Sequence, residues 1–547
     1  MILGAALGVA SFFGFKGSDR NFEISKNLEI FHNVFRELDM FYVDTVDVEK
    51  VIHKGIDAML ASIDPYTVYY PQDDQDDLKR MTTGKYAGIG AVVRNYPTKG
   101  YVAIEEPYEG MPAARYGLKA GDLILAIDGE SMKGKATEYV SDHLRGDPNT
   151  RLVVTVRRPG AENDSVDVEV IRSTVALPSV PYYGMKGDAG YILLDGFTEN
   201  CSRDVRRALL ELKEQGARGI VLDLRGNGGG LLNEAVEIVS LFVPKGTRIV
   251  ETRGKIRQAT SEYSTRREPV DMEIPLVVLV DGSSASASEI VSGSLQDLDR
   301  AVIIGDRTYG KGLVQTTRSL PYNGTLKVTT SKYYIPSGRC IQEIDYSHRD
   351  ASGVATRVPD SLTHVFTTST GRQVRDGGGI RPDIKCVADT MPDIMYYLSN
   401  DVVLFDFVNQ FCVDNKTIAP ASEFVISDSL YNAFKEFVKN SDFKFTSRSS
   451  QALKTLESLA ASEGLKENAK AEFKALADKL QYDMNRDLDQ FESDVKLLLA
   501  TEILSRYYYQ KGAIQESLKY DAALDTAQTV IADAHRYYKI LNRPVKK

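Results

Sequence analysis

Leu276–Gln315 reads LVVLVDGSSASASEIVSGSLQDLDRAVIIGDRTYGKGLVQ, and its pattern decides the fold. With Pro275 before it, LVVLV predicts a buried strand; SEIVSGSLQDL predicts a helix and AVIIG a second strand. Near-continuous apolar strands alternating with helices are the α/β pattern, a mostly parallel sheet buried on both faces. The end of the stretch nearly spells a phosphate-binding loop: Gly305, four residues, Gly310, Lys311. The hydroxyl that would hold magnesium is missing, because the next residue is Gly312. LVQTTRSL then reads as an extended strand, not as the helix such a loop opens. Lys311 therefore needs another role. A single lysine is ordinarily a solvated surface amine. Glycines on both sides suit a packed, sterically tight turn instead.

The same alternation runs outward from residue 188 to residue 340. GYILLDG is a strand, CSRDVRRALLELKEQG a helix with a glycine stop, and GIVLDLR a strand. GNGGG, Gly226–Gly230, follows, then the helix NEAVEIVSLF. GNGGG fails the dinucleotide fingerprint, since Leu231 stands at the sixth position. It is either a tight turn or a loop whose bare N–H groups face an anion, a phosphate or the oxyanion of acyl transfer. In DGSSASASEI, Ser286 and Glu289 spell S-x-x-E, which reads as a helix capping box. The other reading is a nucleophile at a strand-to-helix turn, with the N–H of Ala287 aimed at developing negative charge. G-x-S-x-G is absent, so this is not the usual hydrolase elbow. A serine needs a base, and His348 and His364 are the only downstream histidines within reach of the core. Lysine serves instead where burial lowers its pKa. Neighbouring parallel strands would bring the start of one helix close to the loop after the next strand.

Composition removes other classes. The chain has 547 residues, 43% hydrophobic and 26% charged, with a net charge of −9. About two to four domains are expected at that length, and the acidic balance argues against a nucleic-acid surface. The four cysteines, Cys201, Cys340, Cys386 and Cys412, make no C-x-x-C pair. The six histidines are scattered without H-E-x-x-H, so no metal site is written locally. Ile2–Phe15 is apolar but too short to span a bilayer. It looks like the end of an export or anchor segment, without the basic region of a signal peptide.

The flanks differ in character. Residues 20–80 read mainly as helix, with Phe31, Val34, Phe35 and Leu38 on one face. Residues 84–172 hold short β-type runs, GIGAVV, GYVAIEE, DLILAIDGE, RLVVTVRR and VDVEVI, with one helical piece, ATEYVSDHLRG. Residues 421–543 lack proline, and Leu453, Leu456, Leu459, Phe491, Val495, Leu498 and Leu499 mark helical faces.

These motifs together carry a resemblance. The Ser-Ala-Ser-Glu segment, the Arg-Ala strand and Gly-Lys-Gly-x-x-Gln resemble the carboxy-terminal processing, or tail-specific, proteases of the S41 serine peptidases. The resemblance covers about residues 30–390 and includes DLRGNGGG and SIDPYTVYYP. It implies Ser286 as nucleophile, Lys311 as base and Gln315 as the residue that orients the lysine. It implies an oxyanion hole from Gly229 and Ala287. YAGIG and GMPAARYGLKAGDLILAIDG resemble the family's PDZ domain, whose peptide-binding loop maps to Gly88, Ile89, Gly90 and Ala91. PDZ domains add a peptide C-terminus as a strand and hold its carboxylate on backbone N–H groups. Cys340 stands where many members carry serine and reads as a neutral substitution.

The resulting expectation is a multidomain α/β protein. Residues 1–18 are a residual export or anchor segment, 19–83 an N-terminal helical region and 84–173 a PDZ domain. Residues 174–398 form a protease core of the ClpP/crotonase type, with 174–187 linking, and 399–547 a C-terminal helical domain. The expected activity is that of a serine endopeptidase acting on proteins recognised by their C-terminal tails, the PDZ domain binding the tail and gating access. No cofactor or metal is needed. Protein or peptide substrates, an adaptor or activator and a second copy in a dimer are the expected partners, not nucleic acid. The expected setting is the periplasm or cell envelope. The alternative is a catalytically silent PDZ scaffold, which should lack one of Ser286, Lys311 or Gln315; all three are present.

Overall fold

The computed structural model describes residues 3–161, 164–350, 353–387, 391–445, 447–480 and 483–545. It divides into two compact units, Met1–Gln75 with Gln315–Thr329, and Asp76–Val314 with Thr330–Lys547.

The first unit holds the helices Leu3–Phe41 and Val48–Ala61. Side chains up to residue 19, where the export segment was expected, lie outside the described residues. Phe31 and Val34 stay exposed, so the apolar face read from the sequence is only partly covered. Asp64 then folds the chain back, its Oδ1 accepting the N–H of Tyr66 and of Thr67 at 2.8 and 2.7 Å. The strand Val68–Tyr70 follows and pairs antiparallel with Thr325–Lys327. Among the described residues no helix is long and apolar enough to cross a membrane.

The described residues of the second unit pack into several apolar cores. The β-type runs of 84–172 form an antiparallel sheet with Ala91–Tyr96 at one edge, then Tyr101–Pro107, Leu123–Ile127, Arg151–Arg157 and Ser165–Ile171. The helix Thr137–Leu144 lies where ATEYVSDHLRG predicted it. Val102, Ile104, Ile124, Val154 and Val170 fill this core.

The α/β core is a six-stranded sheet in the order Tyr182–Lys186, Ala189–Leu193, Gly219–Asp223, Leu276–Val280, Val302–Gly305 and Ile384–Lys385. All neighbours are parallel except the first pair. Side chains alternate along each strand, so Ile220, Leu222, Val278 and Val280 face one way. There they meet the helices Cys201–Glu214, Leu232–Ser240 and Ala287–Asp297. Val221, Val277, Leu279, Val302 and Ile304 face the other way.

What covers that second face is the end of the chain. Leu518, Leu524, Ala527, Val530, Ile531, Tyr537 and Leu541 pack on it, from the helices Ala522–Ala532 and Ala534–Ile540 and the turn before them. Composition placed these residues with the C-terminal helices; packing places them against the α/β sheet. The remaining helices, from Asp393–Asn400 to the long helix Glu492–Ser517, enclose their own core around Phe407, Phe434, Leu499 and Ile503. Leu453 is buried, while Leu456 and Leu459 are exposed, so only part of that predicted face is used.

Candidate active site

Three adjacent parallel strands deliver the three candidate segments. Gly219–Asp223 runs into Gly226–Gly230, Leu276–Val280 into Ser286, and Val302–Gly305 into Lys311. Because the strands are parallel neighbours, their following loops share the carboxyl edge of the sheet, where α/β folds place their sites.

The serine-rich turn sorts its own hydroxyls. Ser284 is fully buried and its Oγ donates to the carbonyl of Leu224 at 2.8 Å. Ser288, equally buried, donates to the carbonyl of Asn227 at 2.8 Å. Ser286 is half-buried and has φ 57°, ψ −110°. An ordinary helix cap has extended backbone, and a positive φ costs a non-glycine residue about 1–3 kcal/mol. The capping-box reading is right in one arm: the Glu289 carboxylate accepts the Ser286 N–H at 2.8 Å. The backbone around Ser286, however, is bent as a turn that presents its side chain.

Glu289 is fully buried and does more than cap. Its Oε1 accepts the Thr308 hydroxyl at 2.6 Å and the Gly310 N–H at 2.7 Å. Its Oε2 accepts the N–H of Ser286 at 2.8 Å and of Lys311 at 2.9 Å. Burial pushes this carboxyl up to about 7, against the pull of those four donors.

The Gly310–Lys311–Gly312 turn is held at every backbone group. Beyond the two bonds to Glu289, Gly312 N–H donates to Gln342 Oε1 at 2.7 Å and Glu343 N–H to the Gly310 carbonyl at 2.9 Å. Tyr333 N–H donates to the Gly312 carbonyl at 3.0 Å, and its hydroxyl to the Lys311 carbonyl at 2.7 Å. The same hydroxyl lies 3.2 Å from the Ser286 carbonyl. Glycine is required on sterics: a Cβ on Gly310 would sit 2.5 Å from Glu343 Cβ, and one on Gly312 2.8 Å from Gln342 N. The strand Leu313–Ser319 follows, as the failed phosphate-loop reading required.

Gly229 lies against the serine turn. At φ 101°, a Cβ there would meet the Ala285 carbonyl at 2.7 Å and Ser286 Cβ at 2.8 Å. Its N–H, expected to face an oxyanion, donates to Asn227 Oδ1 at 2.8 Å, a local turn of the asparagine kind. Asn227 is fully buried; its Nδ2 donates to the Leu194 carbonyl, and its carbonyl accepts the Ala285 N–H at 3.0 Å. Ala287 is the first helical residue, so its N–H has no intrahelical acceptor. Gln315 belongs to the first unit, with Nε2 donating to Thr329 Oγ1 at 3.1 Å.

The histidines offered as an alternative base are surface groups. His348 pairs with Asp345 at 2.7 Å and His364 with Asp376 at 3.3 Å, each largely exposed. All four cysteines are free thiols.

Comparison with known proteins gives the family. Residues 188–348 match peptidase family S41, 104–158 a PDZ domain, and 394–531 the C-terminal helical domain of probable PDZ-proteases. A carboxy-terminal-processing protease of Bartonella bacilliformis is 36% identical over 323 residues, 58% of this chain and 73% of that protein. The chain belongs to the S41 carboxy-terminal-processing proteases. It is therefore a serine-type peptidase with a PDZ domain. A probable CtpA-like serine protease of Staphylococcus aureus is 35% identical over 60% of this chain and 66% of that protein. The solved photosystem II D1 C-terminal processing protease is 27% identical over 66% of this chain and 93% of its own, with a TM-score of 0.36.

Within this S41 protease, Glu289 as a shared acceptor, Tyr333, Asn227 and Gln342 were missed by sequence reasoning. Only Glu289 had a signal, its spacing from Ser286.

Proposed function

We propose that this protease is an endopeptidase in which Ser286 is the nucleophile and Lys311 its general base, acting on proteins presented by their C-terminal tails. The observation that carries the reading is the single carboxylate oxygen, Glu289 Oε2, that receives the N–H of both residues. It ties the two turns together whatever their side chains do.

Ser286 Oγ attacks the scissile carbonyl carbon, and its proton passes to the neutral Lys311 amine. The negative charge on the carbonyl oxygen faces the Ala287 N–H at the helix start, and the Gly229 N–H joins it only by leaving Asn227 Oδ1, its acceptor in this structure. Each such donor is worth about 3 kcal/mol in the transition state. The Lys311 ammonium then protonates the leaving amine, and water attacks the acyl-enzyme with Lys311 again as base. Gln315 is retained as the residue that positions Lys311.

Tail binding rests on an open sheet edge. Among the described strands Ala91–Tyr96 pairs only with Tyr101–Pro107, leaving its outer backbone groups for an added strand. The loop Gly88–Ala91 stands at its start, with the Ile89 and Gly90 carbonyls held by the N–H of Ala113 and Tyr108 at 2.7 and 2.9 Å. Gating by this domain, an adaptor, a dimer and an exported setting read from Ile2–Phe15 belong to the same proposal.

The test is cleavage of an unfolded reporter with an apolar C-terminal tail by the wild type, Ser286→Ala and Lys311→Ala, with circular dichroism confirming folding. Only the wild type should cleave. Equal cleavage by all three would overturn both assignments.

A further inference from the structure

The glycine loop beside Ser286 is anchored from the far end of the chain. Glycine has the greatest backbone freedom of any residue, so a loop containing Gly226, Gly228, Gly229 and Gly230 takes its position from its anchors. Arg225, the residue before Gly226, is one of them. Asp223 accepts from Nε at 3.0 Å and from Nη2 at 2.5 Å along one edge of the guanidinium. Asp521 accepts from Nη1 at 3.1 Å and Nη2 at 2.5 Å along the other. The planar fork is thus fixed on two sides, a geometry lysine cannot reproduce.

Asp521 is itself held. It caps the helix Ala522–Ala532, its Oδ1 accepting the N–H of Ala523 and Leu524 at 3.0 Å each. That helix packs on the strands that feed the Gly226–Gly230, Ser286 and Lys311 loops. Four residues after Arg225, Gly229 abuts Ser286 so closely that no Cβ fits between them.

We propose that Asp521 is a positioning residue for the glycine loop, so that the C-terminal helices set the geometry in which the oxyanion is stabilised. The inference rests on Ser286 as the nucleophile.

Asp521→Asn separates the two jobs of this side chain. Asparagine caps a helix about as well as aspartate but cannot give Arg225 a carboxylate. The experiment uses the full chain: wild type, Asp521→Asn, Arg225→Lys and Ser286→Ala. It measures kcat and KM on the tailed reporter, thermal unfolding, and the rate at which a fluorophosphonate labels Ser286. In that labelling an Oγ–P bond forms, fluoride leaves and the hydroxyl proton is taken up by the base. Asp521→Asn should lower kcat and the labelling rate at least about tenfold with KM within about twofold, the signature of a contact felt only in the transition state. Its melting temperature should stay within a few degrees of wild type. Both rates within about twofold of wild type in a folded Asp521→Asn protein would overturn the proposal. If that variant does not fold, Arg225→Lys, which keeps the charge and loses the fork, is judged by the same criterion. Labelling of Ser286→Ala at the wild-type rate would sink the nucleophile assignment separately, whatever Asp521→Asn does.

Discussion

Ser286 and Lys311 give their backbone N–H groups to one oxygen, Oε2 of Glu289, at 2.8 and 2.9 Å. Twenty-five positions apart in the chain, they are two hydrogen bonds apart in the fold. The Tyr333 hydroxyl makes a second bridge, between their carbonyls. The two turns are therefore held together through their backbone groups.

Removing the second bridge should show this. Tyr333→Phe keeps the buried ring and deletes the hydroxyl, leaving the Lys311 carbonyl without its donor. A stability loss of about 1–3 kcal/mol is expected, together with a drop in kcat that exceeds any change in KM. Denaturant unfolding and steady-state kinetics on the same preparation check both. An unchanged kcat would mean that Glu289 alone sets the spacing.

Glu289 makes the activity depend on pH. As a carboxylate it faces four donors; protonated, it would turn its own O–H towards them. Its pKa is raised from the ordinary 4.5 to about 7 by burial, so kcat should fall as pH drops through that value. Stability runs the other way. With the folded pKa above the unfolded one, the native state holds the proton more tightly, and this contribution is full below 4.5 and lost as pH rises through about 7. A pH–rate profile of wild type against Glu289→Gln tests it. An acid limb with the same midpoint in the variant would belong to another group.

Gly229→Ala should separate folding from catalysis. The added methyl needs space already taken by the Ala285 carbonyl and Ser286 Cβ, at a φ of 101°. Displacing the serine or its oxyanion donors should lower kcat by about 100-fold or more, with circular dichroism unchanged. Near-wild-type turnover would show that the loop yields without disturbing Ser286.

The last helices should prove integral to the protease core. Leu524 is buried against the sheet face opposite the helices Cys201–Glu214, Leu232–Ser240 and Ala287–Asp297. Leu524→Ala should cost about 2–5 kcal/mol, read as a lower unfolding midpoint of the whole core. A loss under about 1 kcal/mol would mark these helices as an appendage, since a buried leucine truncation rarely costs so little.

Much of this was legible in the chain, because local chemistry writes local structure. The apolar runs at Leu276 and Val302, the glycines beside Lys311 and the S-x-x-E spacing each act within a few residues. They identified the strands, the tight turn and the cap, and with them singled out Ser286 and Lys311 as candidates. Tertiary structure decided what distant residues do. No periodicity announces that Tyr333 spans two carbonyls, that Asn227 takes the Gly229 N–H, or that Asp521 grips Arg225 across 296 positions. Nor does composition show that the helices at the end of the chain close the second face of the sheet. A hydrogen bond depends on a few tenths of an ångström and on direction, and those are properties of the packed molecule, which a pattern of residue types does not contain.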